Sequence, residues 1–258
     1  MASASIVFVP GSFSEPELCD GILDPLRERG YDVHGIHLRS ALPKEAKPSG
    51  PPIPTMYDDA KVIADKLREL ADEGKDVVIF AHSYGGTPAS ESLKGLSKAS
   101  RQAEGKTGGV VRLAFITCLI GEVGQSAGEL LATKKENKLP ANMNEDGWMY
   151  YTDMQTLARI AFSGIPHDEA LKWANRLGWH SSTSFGNPLQ YAGYKDVPVS
   201  WLLCEEDLSI PAVYQRTAIE MIERTTGRKV DVTSLPSGHV PMVMFGEEVV
   251  EWMVRQLG

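Results

Sequence analysis

Short, largely apolar runs alternate along this chain with longer stretches in which apolar residues recur every three or four positions. Ser5-Ile6-Val7-Phe8-Val9, Val77-Val78-Ile79-Phe80, Val110–Ile120 and Pro198–Cys204 are runs of the first kind. Segments that brief, with no polar face, predict strands buried on both sides, as in a parallel sheet covered by helices. Tyr31–Leu38 predicts a further strand, and Lys229–Leu235 another by its alternation. The second kind predicts helices at Pro16–Arg29, ended by Gly30, and at Thr55–Glu73, closed by Gly74. In the latter, Met56, Ala60, Ile63, Ala64, Leu67 and Leu70 form one stripe. Further helices are predicted from Thr87-Pro88 to about Ser97 and over Glu247–Gln256. A proline-rich loop, Pro43–Pro54, and a polar loop around 105–109 are the main breaks. Strands alternating with helices imply an α/β fold, a mostly parallel, doubly wound sheet with right-handed crossovers.

One interruption stands out. Nearly eighty residues separate the fourth predicted strand from Pro198, without a clear buried strand. Helical patterns occur there at Ser126–Lys135, Thr152–Phe162 and Asp168–Leu177. The expected organisation is a single domain over 1–258, with 121–197 as a helical cap inserted after the fourth predicted strand. Nine of the chain's 20 aromatic residues fall between Gly121 and Pro198. A cap needs a small core of its own, which accounts for most of these rings. The remainder should face a mostly apolar pocket.

Composition narrows the function. At 258 residues, 42% hydrophobic and 23% charged, the chain can bury a sizeable core. The formal net charge is −8 and no basic cluster is evident, which argues against nucleic acid and anionic membrane surfaces as partners. Lys134-Lys135 and Arg228-Lys229 read as solvated surface pairs. Cys19, Cys118 and Cys204 cannot all pair; they read as reduced, buried residues and fit no metal-ligand spacing, consistent with a cytoplasmic protein. Met1-Ala2-Ser3 leads straight into the first strand with no signal peptide, and no apolar run is long enough to cross a membrane. Monomer and homodimer both stay open.

The candidate chemistry starts at Ala81-His82-Ser83-Tyr84-Gly85-Gly86. A serine between a buried strand and a helix start, with small residues two positions either side, is the layout of a sharp turn that exposes a nucleophilic hydroxyl. Ala81 stands where glycine is more usual. A serine hydroxyl needs a base, and the base needs a carboxylate to hold its tautomer. Asp207 follows the strand ending at Cys204, and His239 follows the strand ending at Leu235, so Ser83, Asp207 and His239 each lie just past a strand's C-terminal end. Glu205 and Glu206 are weaker rivals for the acid, and Glu122, after the fourth strand, is the serious one. His34, His37, His82 and His167 read as structural or solvated, with His82 pointing away if Ser83 points up. Acyl chemistry also needs oxyanion donors, assigned to the backbone N–H groups of Tyr84 and Ser12. Phe13, Trp148, Trp179 and His180 are candidates to contact substrate. No cofactor and no metal is expected.

With these residues the chain resembles the α/β-hydrolase superfamily, and within it the branch of plant methyl esterases and hydroxynitrile lyases together with related fungal and bacterial hydrolases. The resemblance rests on Phe8-Val9-Pro10-Gly11, on Ala81–Gly86, on Cys204–Pro211 with Gln215-Arg216, and on Gly238-His239-Val240-Pro241-Met242. It implies cofactor-free hydrolysis of a carboxylic ester, lactone or thioester of a small to medium apolar compound through an acyl-enzyme. Many hydrolases of this fold carry histidine where Pro10 stands. The lyases of this branch carry a lysine just after the histidine; Val240-Pro241-Met242 follows here, which disfavours cyanohydrin cleavage. The alternatives are a cofactor-free lyase or acyltransferase that tailors natural products, and a non-catalytic ligand receptor.

Overall fold

The computed structural model describes residues 4–48, 50, 53–134 and 136–258. Along the chain these form β1 (Ser5–Val9), α1 (Asp20–Glu28), β2 (Val33–Gly35), β3 (Ala41–Leu42), α2 (Met56–Asp72), β4 (Asp76–His82), α3 (Gly86–Glu91), α4 (Lys98–Ala103) and β5 (Gly109–Ile116). Then come α5 (Ala127–Ala132), β6 (Ala141–Met143), β7 (Trp148–Tyr151), α6 (Met154–Ala161), α7 (His167–Ala174), β8 (Trp179–Ser181) and α8 (Ser182–Gly186). The chain closes with β9 (Val199–Cys204), α9 (Ala212–Thr226), β10 (Asp231–Leu235), α10 (Pro241–Met244) and α11 (Gly246–Arg255).

The main sheet has strand order β10-β9-β5-β4-β1-β2, and its pairings are parallel. This is the α/β-hydrolase fold. Successive strand residues face opposite sides, which divides the core in two. Val7, Val9, Ile79, Leu113, Phe115, Trp201 and Leu203 pack on the α2 and α9 side. Ile6, Phe8, Val78, Phe80, Ala114 and Leu202 pack on the α1 and α11 side. The central strands are apolar throughout because both of their faces are covered.

Several boundaries differ from the sequence reading. Helix α1 is preceded by a 3-10 turn over Pro16–Cys19, and the strand predicted at Tyr31–Leu38 is confined to β2. The fourth long strand, β5, ends at Ile116 rather than Ile120 because Thr117 takes a left-handed φ of 42°. The helix after Ser83 stops at Glu91.

The insertion between β5 and β9 carries its three expected helices as α5, α6 and α7, adds the short α8, and joins β3 from outside it in an antiparallel sheet of order β3-β8-β7-β6 that the periodicity did not announce. Strands of two to four residues are too brief to show an alternation. Of the helix predicted at Ser126–Lys135, Lys135 lies outside the described residues. Ser126 and Glu129 form a reciprocal cap at the start of α5. The insertion has its own core of Tyr151, Leu157, Ala161, Phe162 and Ile165, and Phe13 from the loop after β1 belongs to it. Phe13 takes φ 61° and sets its ring 4.5 Å from that of Tyr151, so the insertion is keyed to that loop. Among the described residues no helix is long and apolar enough to cross a membrane.

Candidate active site

The turn after β4 is tightly packed. A Cβ built on Gly85 would fall 2.5 Å from the Pro10 carbonyl oxygen and 2.8 Å from that of Val9, so β1 and the turn pack backbone to backbone. Ser83 sits in this turn with φ 54°, a left-handed conformation that costs a non-glycine residue on the order of 1–3 kcal/mol. The Gly11 loop closes in from the other side; a Cβ there would lie 3.1 Å from Ser83 Cβ.

Three distant chain segments meet at this point. Ser83 Oγ lies 2.9 Å from His239 Nε2, and His239 Nδ1 lies 2.8 Å from Asp207 Oδ2. Asp207 is almost wholly buried but amply solvated by protein donors. Its Oδ1 accepts the N–H groups of Ser209 at 2.7 Å and Ile210 at 2.8 Å. Its Oδ2 accepts the Thr117 hydroxyl and lies 3.5 Å from the Gln215 side-chain amide. With Nδ1–H donating to this carboxylate, Nε2 is left free to accept from Ser83. An arrangement of this kind can carry a proton off the serine as its oxygen attacks a carbonyl.

The rival acids lie elsewhere. Glu122 is exposed and pairs with Arg224, Glu205 pairs with Arg216, and Glu206 is exposed. His82 does not point away from the site. It lines the cavity beside Ser83 and its Nε2–H donates to the His239 carbonyl at 2.8 Å, fastening the loop that carries His239. Burial pushes the His82 imidazole down to about 3, so it makes this bond as a neutral ring. Glu15, Glu17 and His37 bring three potential ligand atoms together at the surface, where they form an exposed ion-pair cluster.

The Tyr84 N–H belongs to the first turn of the helical segment starting at Ser83, where N–H groups lack partners within the helix. In the Gly11 loop the N–H of Phe13 donates to His180 Nδ1 at 3.3 Å, while Ser12 lines the cavity.

His180, Trp148 and Trp179 do not line the cavity. His180 is fully buried, between the Phe13 N–H and Ser184 Oγ at 3.0 Å, and burial pushes its imidazole down to about 3. It braces the Gly11 loop from behind. Trp179 stacks on Tyr150 and donates from its indole to the Lys44 carbonyl, and Trp148 is buried in β7. Strand β7 turns Met149 and Tyr151 to the cavity and leaves Trp148 off its wall, and β8 contributes none of its wall residues, a facing that alternation in such short strands could not reveal. Phe13 does line the cavity, with Tyr151, Phe162, Trp173 and Phe185. The cavity encloses about 440 Å³, and Ser83 and His239 form part of its wall.

Behind the site lies a buried group the sequence reading did not single out. Asp59 accepts the N–H of Ser40 at 2.8 Å, the Ser40 hydroxyl at 2.5 Å and the Tyr84 hydroxyl at 2.8 Å. A signal was present: position 59 is three after Met56 and four before Ile63, so a carboxylate stands on the buried stripe of α2. Burial pushes its pKa up to about 6, above the 3.8 of an unburied aspartate. Native protein therefore holds this proton more tightly than unfolded chain. The resulting stability is complete below about pH 4 and is lost as pH rises through 6. Asp59→Asn, which cannot ionise, should show no such loss. Between pH 4 and pH 7 the difference in unfolding free energy should move about 2–3 kcal/mol in the variant's favour, read from urea midpoints.

A profile of the alpha/beta hydrolase family matches residues 6–252. A probable hydrolase R7 from a Phoma species is 31% identical over 258 residues, covering 100% of both chains. Among solved structures, a polyneuridine aldehyde esterase superposes with a TM-score of 0.71 at 16% identity, over 98% of this chain and 99% of its own. A pyrethroid hydrolase from Sphingobium faniae gives 0.70 at 18%, over 98% and 96%. At such identities these two likenesses speak for the fold alone.

Proposed function

The chain belongs to the α/β-hydrolase family, and from that premise we propose that it is a serine hydrolase cleaving a carboxylic ester, lactone or thioester of an apolar compound. The observation that carries this reading is the continuous contact from Ser83 Oγ through His239 to Asp207 at the base of an apolar cavity. His239 Nε2 takes the Ser83 proton as the oxygen attacks the carbonyl, and Asp207 holds the ring and stabilises its charged form. The N–H groups of Tyr84 and Ser12 receive the developing oxyanion. His239 then protonates the leaving oxygen or sulfur, and water activated by the same nitrogen releases the acid from Ser83. The insertion over residues 121–197 acts as the cap, and its side chains choose the acyl compound. The relative R7 is named as a probable hydrolase, which supports hydrolysis as the reaction type.

Turnover of p-nitrophenyl esters in heavy-oxygen water tests it. Hydrolysis must place one solvent oxygen in the acid product, and a fluorophosphonate must label Ser83 stoichiometrically. Transfer of the acyl group to an added alcohol in place of water would replace hydrolysis by acyl transfer. Absence of both turnover and labelling would leave a ligand receptor.

A further inference from the structure

The cavity above Ser83 is walled mostly by carbon, and no aspartate or glutamate is among its described wall residues, yet two lysines of one cap segment, Lys134 and Lys138, belong to that wall. Lys134 is not the solvated surface residue its sequence context suggested; it is only 6% exposed. Its Nζ lies 2.6 Å from the Ser209 carbonyl oxygen, 3.0 Å from that of Asn137 and 3.4 Å from that of Leu208. Three carbonyls match the three N–H groups of an ammonium ion, so every partner of this buried cation is a neutral dipole. Burial disfavours the Lys134 charge and the nearby Asp207 carboxylate favours it, so the cation is compensated only in part and a substrate anion would offset more of its desolvation cost. Lys138, on the same segment, is exposed and also belongs to the cavity wall. Both cations stand in a protein of net charge −8.

We propose that the substrate of this site carries a second, anionic group, a carboxylate, joined to its scissile ester by an apolar body, and that Lys134 and Lys138 form the subsite for it. The inference rests on the esterase reading of Ser83. Lys134, its N–H groups committed, contributes a fixed positive charge. Lys138 donates directly to the carboxylate. The carbon walls between, among them Leu131, Leu139 and Leu157, take the apolar body.

Two p-nitrophenyl esters of octanedioic acid test this, one with the distal carboxylate free and one with it methylated. Wild-type protein should favour the free acid by about tenfold in kcat/KM, carried by KM, and the preference should shrink in 0.5 M salt. Lys138→Met should bring the ratio close to one and Lys138→Glu should invert it. Lys134→Met should also lower the ratio, with its melting temperature reporting whether the cap still packs. A wild-type ratio of one or less, or a ratio unchanged in both Lys138 variants, overturns the proposal. Should neither ester turn over, the esterase reading fails by itself. Calorimetric binding of monomethyl against dimethyl octanedioate to wild-type protein then still reads the subsite: about tenfold tighter binding of the anion upholds it, and equal affinity overturns it.

Discussion

Ser83→Ala is expected to lower kcat on a p-nitrophenyl ester by about 10⁴-fold or more, because the group that forms the covalent bond is gone. Ester binding should change little, since the cavity wall loses one oxygen among many carbon atoms. Retention of more than a few per cent of wild-type kcat would remove Ser83 from the chemistry. Stability offers a second reading of the same position. Ser83 is held at φ 54° by the Gly85 contacts with the Val9 and Pro10 carbonyls and by the Gly11 loop. Alanine inherits that strain, whereas glycine is free of it. Ser83→Gly should therefore melt above Ser83→Ala while being as inactive, and the gap reports the strain stored at the turn.

Asp207→Asn is expected to reduce kcat by about 10³–10⁴-fold with the fold preserved. Asparagine keeps one oxygen to accept the Ser209 and Ile210 N–H groups, so the loop should hold its shape. The amide nitrogen then replaces the oxygen that faces His239 Nδ1 and the Thr117 hydroxyl. An amide N–H directed at Nδ1 makes that nitrogen the acceptor and moves the ring proton to Nε2, where it blocks the approach of the Ser83 proton. A chymotrypsin-like drop with an unchanged melting temperature would fit; loss of less than tenfold would point to another acid. Glu122 is no substitute, since its carboxylate is exposed and tied to Arg224.

Much of this site could be read along the chain. Ser83, Asp207 and His239 each follow a run of residues whose pattern already marks a strand end, and strand ends in a parallel sheet share one rim. The supporting groups were hidden for different reasons. Thr117 looked like part of a strand because Val110–Ile120 is apolar with hardly a break; only its φ of 42° shows that the chain turns there and aims the hydroxyl at Asp207. His180 looked like a donor for substrate, but its ring is spent on the Phe13 N–H and Ser184. Trp148 and Trp179 were singled out as large rings in the insertion, and which way they face depends on pairings of two or three residues. Lys134 was read as a surface lysine because nothing local says that the Asp207 loop comes down upon it.

Local pattern was enough for the layered architecture, the placing of Ser83, Asp207 and His239 just past strand ends and the presence of an insertion, because burial periodicity and turn chemistry act over a few neighbouring residues. The shape of the cavity, the bracing of Tyr84 and the Gly11 loop by Asp59 and His180, and the burial of Lys134 were settled only by folding. Each depends on side chains from segments tens of residues apart arriving within hydrogen-bonding distance, and short-range pattern carries no record of such meetings.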